Sequence, residues 1–147
     1  MPQSLIKILV HVVFSTKNRV DLISPEIEAE LFAYIHGIVH NNKSKLIIVN
    51  GTSNHIHLLI SVGKTIDISN LVGHIKRSSS VWLKQHREDF YWQEGYGAFS
   101  IGQSQVNDVV RYIEGQKQHH AVSEFKDEFR TMLKKYQLKY DERFVWD

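Results

Sequence analysis

Two histidines one residue apart, His55 and His57, sit in the stretch 54–62, NHIHLLISV. Read as a strand, this stretch puts Ile56, Leu58, Ile60 and Val62 on one face and His55, His57, Leu59 and Ser61 on the other. Neutral imidazole is the commonest protein metal ligand, and a pair at i and i+2 on one strand face can reach a single ion without moving the backbone. Further along, Tyr112 and Gln116 stand one helical turn apart on the flank of an apolar stripe of Val106, Val110 and Ile113. Tyr112 offers an oxygen nucleophile; Gln116 offers an amide oxygen that can either bind a cation or hold the phenol in position. Either pair alone is ordinary, since histidines on half-buried strands and tyrosines beside an oily stripe commonly just pack. Chemistry requires a fold that brings the two pairs together.

The elements that would do so follow from periodicity. Residues 5–15 alternate, with Ile6, Ile8, Val10, Val12 and Phe14 on an oily face and Lys7, His11 and Ser15 on a polar one, which predicts a strand. Ser24 as N-cap and Pro25 at the first helical position open a helix to about Asn41, with Ile27, Leu31, Tyr34, Ile35, Ile38 and Val39 as its apolar side. A short strand at 46–49 and the turn signal Asn50-Gly51 lead back into the two-histidine strand as a hairpin. Thr65 or Asp67 then caps a helix with Ile68, Leu71, Val72, Ile75, Trp82 and Leu83 on one side and His74, Lys76, Arg77, Lys84 and Arg87 on the other. After an aromatic and glycine-rich stretch at 90–99, a last strand is expected at 98–101, and Ser104 caps the helix carrying Tyr112, to about residue 120. A final helix is expected over about 123–137, with Phe125, Phe129, Leu133 and Tyr136 as its stripe, followed by a charged tail whose Phe144, Val145 and Trp146 should dock.

Strand, helix, strand, strand, helix, strand is the order of a ferredoxin-like split β-α-β fold in the α+β class: an antiparallel sheet with helices on one face, plus C-terminal helices carrying the tyrosine. The two-histidine strand is expected mid-sheet, with its polar face uncovered.

At 147 residues the chain reads as one domain, 1–147. It has no cysteine, so disulfides, thiolate chemistry and zinc-finger ligation are excluded, and a metal must rest on histidine, carboxylate or amide ligands. The apolar run 8–14 contains His11 and is followed by no small-residue cleavage site, and no stretch approaches membrane-spanning length; a cytoplasmic, soluble protein with no membrane partner is expected. A net charge of +2 and a pI near 8.8 permit a nucleic-acid partner without demanding one. Lys17 and Arg19 in the loop after the first strand, with Lys76, Arg77, Lys84 and Arg87, are the candidate phosphate contacts. The aromatics at 90–99 serve either to pack the loop or to stack unpaired bases.

Five stretches taken together resemble one family: HVVFSTKNR at 11–19, NHIHLL at 54–59, WQEGYGAFS at 92–100, YIEGQ at 112–116 followed by His119 and His120, and YDER at 140–143. In order and spacing they are similar to the single-tyrosine HUH transposases of bacterial insertion sequences, including the palindromic-repeat-associated tyrosine transposases. The resemblance implies that His55, His57 and Gln116 hold Mg²⁺ or Mn²⁺ and that Tyr112 attacks a DNA phosphodiester. It further implies a 5′-phosphotyrosine intermediate on hairpin-bearing single-stranded DNA and a homodimer whose sites are shared between subunits. Imidazole ligation makes tighter binding of Mn²⁺ and loss of activity below roughly pH 6 the expected behaviour. Gly115 stands where such proteins often carry asparagine, and a glycine inside a helix loosens it by about 1 kcal/mol relative to alanine. His119 and His120 are left open by this reading: they touch DNA, support the metal ligands from behind, or simply end the helix. Two other readings share the fold: a non-catalytic single-stranded nucleic-acid-binding domain, and a metalloenzyme acting on a small molecule. Against the first, His11, His55 and His57 stand where central-strand aromatics would stack bases.

Overall fold

The computed structural model describes residues 2–122 and 124–147, the side chains of 120–122 excepted. Ser123, expected to open the last helix, and the side chain of His120 lie outside the described residues. The elements are β1 (Leu9–Ser15), α1 (Pro25–Asn41), β2 (Lys45–Gly51), β3 (His55–Ser61), α2 (Ile68–His86), β4 (Gly97–Ile101), α3 (Val106–Glu114), α4 (Gln116–Val122) and α5 (Phe125–Lys135). The strands form one sheet in the order β2-β3-β1-β4, every neighbouring pair antiparallel. This is the α+β, split β-α-β arrangement, with β1 and the two-histidine strand β3 in the centre.

One face of the sheet presents Val10, Val12, Phe14, Ile56, Leu58 and Ile60, all buried, to Leu31 and Ile35 of α1 and Leu71 and Ile75 of α2. Pro25 occupies the start of α1, while the Ser24 side chain makes no capping bond. Of the two candidate caps for α2, Asp67 is used: its carboxylate accepts from the Asn70 backbone N–H at 2.7 Å.

Several boundaries differ from those expected. β1 begins at Leu9, because Leu9 is the last residue with partners on both sides, Ser61 and Ile101, and the chain before it runs out of strands to pair with. Asn50 and Gly51 are not the turn but the end of β2, opposite His57 and Ile56; the reversal is made by 52–54. Gly51 serves a close approach, since a Cβ there would lie 2.2 Å from the His55 carbonyl oxygen. The tyrosine helix expected over 104–120 is a 3₁₀ turn, Gln103–Gln105, then α3 and α4, separated at Gly115. The last helix spans Phe125–Lys135 rather than 123–137.

The larger correction concerns the polar face of the sheet, which is not uncovered. Two further apolar clusters close over it: Val13 and Phe99 with Phe125, Phe129, Met132 and Leu133 of α5, and Leu9, Leu59 and Ile101 with Ile113 of α3. The stripes of α3 and α5 need an apolar partner as much as those of α1 and α2 do, and the alternate strand positions supply it. His11, His55 and His57, on this same face, are buried as a result.

Gly97 of β4 sets how close α5 can come, because a Cβ there would lie 2.6 Å from the Phe129 ring. Gly97→Ala is expected to lower stability by about 1–3 kcal/mol through this overpacking, measured by urea unfolding; an unchanged midpoint would show that α5 does not rest on β4 as described.

Candidate metal and nucleophile site

His55 and His57 are alternate residues of β3 and point to the same side, with ring centroids 5.2 Å apart. Each has one nitrogen held by a neighbour and the other turned to a common point. The Nδ1 of His55 lies 2.8 Å from Asn54 Oδ1 and 3.0 Å from Thr52 Oγ1, and its Nε2 lies 3.0 Å from Gln116 Oε1. The Nδ1 of His57 lies 2.9 Å from His11 Nε2, and its Nε2 lies 2.6 Å from Glu128 Oε1. Donor atoms of His55, His57 and Glu128 all fall within 4.8 Å of one another, a grouping that could hold a metal ion.

Glu128 was not among the residues singled out from the sequence. It lies three residues after Phe125 and one before Phe129 in α5, so it sits at the edge of the buried stripe, a position that an acidic residue on a solvated face would not take. Burial pushes its carboxyl up, but the nearby His55 and His57, the latter hydrogen-bonded to it at 2.6 Å, outweigh burial and hold it well below the usual carboxylate range. It is therefore an anion in the folded protein.

Tyr112 of α3 reaches the same point. Its ring lies 5.7 Å from that of His57 and stacks on His119 at 4.8 Å. Burial raises the phenol above its ordinary range, the charge of Glu128 adds to this, and a hydrogen bond to Glu128 adds further, against a smaller opposing effect from Gln116. Gly115 permits the stack, since a Cβ there would press within 3.2 Å of His119 Nε2. The break between α3 and α4 is tied down from below: Asn50 Nδ2 donates to the Ile113 and Glu114 carbonyls at 3.0 and 3.1 Å, capping α3. Lys117 Nζ reaches Glu28 at 2.6 Å and Asn50 Oδ1 at 3.1 Å. Tyr112, Gln116, His55 and His57 thus converge within one chain.

A cavity of about 640 Å³ opens beside the phenol, lined among others by His11, Gln105, Asp108, Tyr112, Glu128 and Lys135. Its size is that of a small-ligand or single-nucleotide pocket.

The candidate phosphate contacts divide. Lys76 is folded inward, donating to the carbonyls of Gln93, Glu94 and Gly95 at 2.9, 3.0 and 2.5 Å, and burial lowers its pKa to about 8. Arg19 donates to the Trp146 carbonyl at 2.6 Å and lies over the Trp146 ring. Both are structural braces rather than open contacts. Lys17 and Lys84 are exposed and flank the Tyr91 ring at 5.9 and 4.1 Å, Arg77 is exposed beside His74, and Arg87 pairs with Asp89 at 2.9 Å. Of the aromatic stretch, Phe90 and Trp92 pack in the core, leaving Tyr91 and Tyr96 open. Among the described residues, no helix is long and apolar enough to cross a membrane.

Residues 4–116 match the family model described as "Transposase IS200 like". Among solved structures, the chain is similar to a transposase candidate from Deinococcus radiodurans R1, at 18% identity and a TM-score of 0.64, covering 79% of this chain and 95% of that one. It is also similar to a REP-associated tyrosine transposase bound to a REP hairpin, at 15% identity and a TM-score of 0.63, covering 82% of this chain and 73% of that one. At these identities the likeness is one of fold. No curated protein sequence matches.

Burial of two neutral imidazoles makes stability depend on pH. Burial, with the neighbouring His57 charge, lowers His11 to about 3, and burial lowers His57 against the opposing pull of Glu128. The unfolded chain takes up protons at these rings near pH 6.5 while the folded chain does not, so stability is full above that value and falls as pH drops. The slope should approach about 1.4 kcal/mol per pH unit for each ring. Urea unfolding of metal-free protein at about pH 7 and about pH 5.5 measures it; equal stability at both would contradict the buried neutral rings.

Proposed function

Because the chain belongs to the IS200-like transposase family, we propose that it cuts and rejoins single-stranded DNA at hairpin-bearing ends, with Tyr112 as nucleophile beside a divalent ion. The observation that carries this reading is the convergence of a phenol, two imidazole nitrogens, an amide and a carboxylate at one buried point. We take residues 1–147 as one catalytic domain, since α3 and α5 pack on the same sheet as α1 and α2.

The donor set fits such an ion. An amide oxygen only accepts, so the contact with Asn54 Oδ1 keeps the His55 proton on Nδ1 and leaves a lone pair on Nε2. That lone pair faces Gln116 Oε1 across 3.0 Å, while among the described residues the buried Gln116 Nε2 has no hydrogen-bond partner. Two acceptors in this position call for a cation between them or a turned amide. The oxygens of Gln116 and Glu128 are donors that Mg²⁺ accepts, and the imidazoles of His55 and His57 favour Mn²⁺ more. When bound, the ion supplies positive charge beside the scissile phosphate.

The chain's own residues supply the rest. The Tyr112 oxygen attacks phosphorus as the bond to the 3′ oxygen breaks, leaving a phosphotyrosine on the 5′ side and a 3′-hydroxyl. Glu128, whose charge bears on the phenol, relays the phenol proton through water to the departing 3′ oxygen, so that the proton balance closes. One phosphodiester replaces another, so the step needs no ATP and a second 3′-hydroxyl can reverse it. Exposed Lys17, Lys84 and Arg77, with Tyr91, form the surface for the flanking strand or hairpin. The reaction would take place in the cytoplasm, where the DNA is.

With Mn²⁺ and a labelled single-stranded hairpin DNA, a covalent adduct should appear in denaturing gels and vanish with Tyr112→Phe or with chelator. An adduct that survives Tyr112→Phe would sink the assignment, and DNA binding without any adduct would favour a non-catalytic binder. Since Tyr112 lies against its own histidines, each chain should form a complete site. Mixing His55→Ala with Tyr112→Phe protein should then restore no activity; recovery would show the shared-site homodimer that the resemblance implies.

A further inference from the structure

His11 has no part in the reaction just described, yet it is buried at the site, with its Nε2 2.9 Å from His57 Nδ1 and the two rings 5.1 Å apart. We infer that His11 is a positioning residue that holds the His57 ring in place while letting its proton change nitrogens, so that Nε2 can serve either Glu128 or a metal ion. This rests on the reading of His55 and His57 as metal ligands.

The contrast between the two histidines carries it. His55 Nδ1 faces an amide oxygen, Asn54 Oδ1 at 2.8 Å, which can only accept; His55 is locked in one tautomer, with Nε2 ready to ligate. His57 Nδ1 faces another imidazole, which can donate or accept. Without metal, His57 Nε2–H donates to Glu128 Oε1 at 2.6 Å, and Nδ1 accepts from His11 Nε2–H. For Nε2 to offer a lone pair, Nδ1 must carry the proton and donate to His11 Nε2 instead. The balance closes: the proton on His57 Nε2 leaves to water, that on His11 Nε2 crosses to His57 Nδ1, and water returns one to His11 Nδ1. Each ring stays neutral. His11 lines the cavity beside Tyr112, which gives its ring access to solvent. A group that can only accept, such as a backbone carbonyl oxygen, in place of His11 would have locked His57 as His55 is locked.

Nitrogen-15 NMR of the histidine rings in the full chain, without and with Mg²⁺ alone, tests this. His55 should keep its proton on Nδ1 throughout, whereas His57 and His11 should both move theirs from Nε2 to Nδ1 as Mg²⁺ is added. By calorimetry, His11→Leu should bind Mg²⁺ about 10–100-fold more weakly, and His11→Gln, whose amide can donate or accept, should recover part of the loss. A His57 proton that stays on Nε2 at saturating Mg²⁺, or undiminished Mg²⁺ affinity in His11→Leu, would overturn the proposal. Should His55 and His57 both ignore Mg²⁺, the metal site itself is wrong and the role of His11 falls with it. The wild-type spectra decide the question even if His11→Leu fails to fold.

Discussion

A carboxylate placed out of water must find donors or a cation, or it neutralises. Glu128 meets this requirement by lying against His57 at 2.6 Å and His55 at 3.6 Å, at the centre of the sheet. Much of the second half of the chain arranges this contact. Two buried imidazoles and one buried anion are individually unfavourable, but together they satisfy one another's hydrogen bonding and leave a concentrated set of nitrogen and oxygen donors. The same low-dielectric pocket that makes removal of one member costly makes a cation welcome there.

Delivering Glu128 is the work of α5, and α5 is held from two sides. Beneath it, Phe129 rests over Gly97 and Phe99 stacks with Tyr136 at 4.7 Å. Beside it, Trp146 of the C-terminal tail approaches the rings of Phe125 and Phe129 at 6.5 and 6.0 Å. Arg19, which looked like a DNA contact, anchors this tail through the Trp146 carbonyl, and Arg130 anchors it through Glu142 at 2.8 Å. Basic residues expected from the sequence to meet phosphate are thus partly used to keep the site closed, and Lys76 likewise binds the loop carbonyls at 93–95. The open positive charge that remains gathers around Tyr91, with Lys17 and Lys84.

Tyr112 is placed by a different device. A continuous helix would carry Gln116 and Tyr112 as one rigid unit; the break at Gly115, capped by Asn50 and pinned by Lys117, instead turns α4 so that His119 lies on the phenol ring. Gly115 makes room for this stack and is not a simple loss of helix strength.

What the sequence determined by itself was whatever a local period encodes. Alternation set His55 and His57 side by side, a 3.6-residue repeat set Tyr112 and Gln116 one turn apart, and the order of elements implied the sheet, because each of these depends on neighbours a few residues away. The resemblance of short motifs joined the two pairs into one site. Only the tertiary structure decided that the polar face is roofed, that Glu128 and His11 complete the surroundings of His57, and that Arg19 and Lys76 are braces. Those contacts join residues 17 to 127 positions apart, such as Lys76 with Gln93, His57 with Glu128 or Arg19 with Trp146. No period reaches that far: how a helix lies on a sheet is settled by packing against the whole surface, and a lone acid on an amphipathic helix reads as solvated until the surface it meets is known.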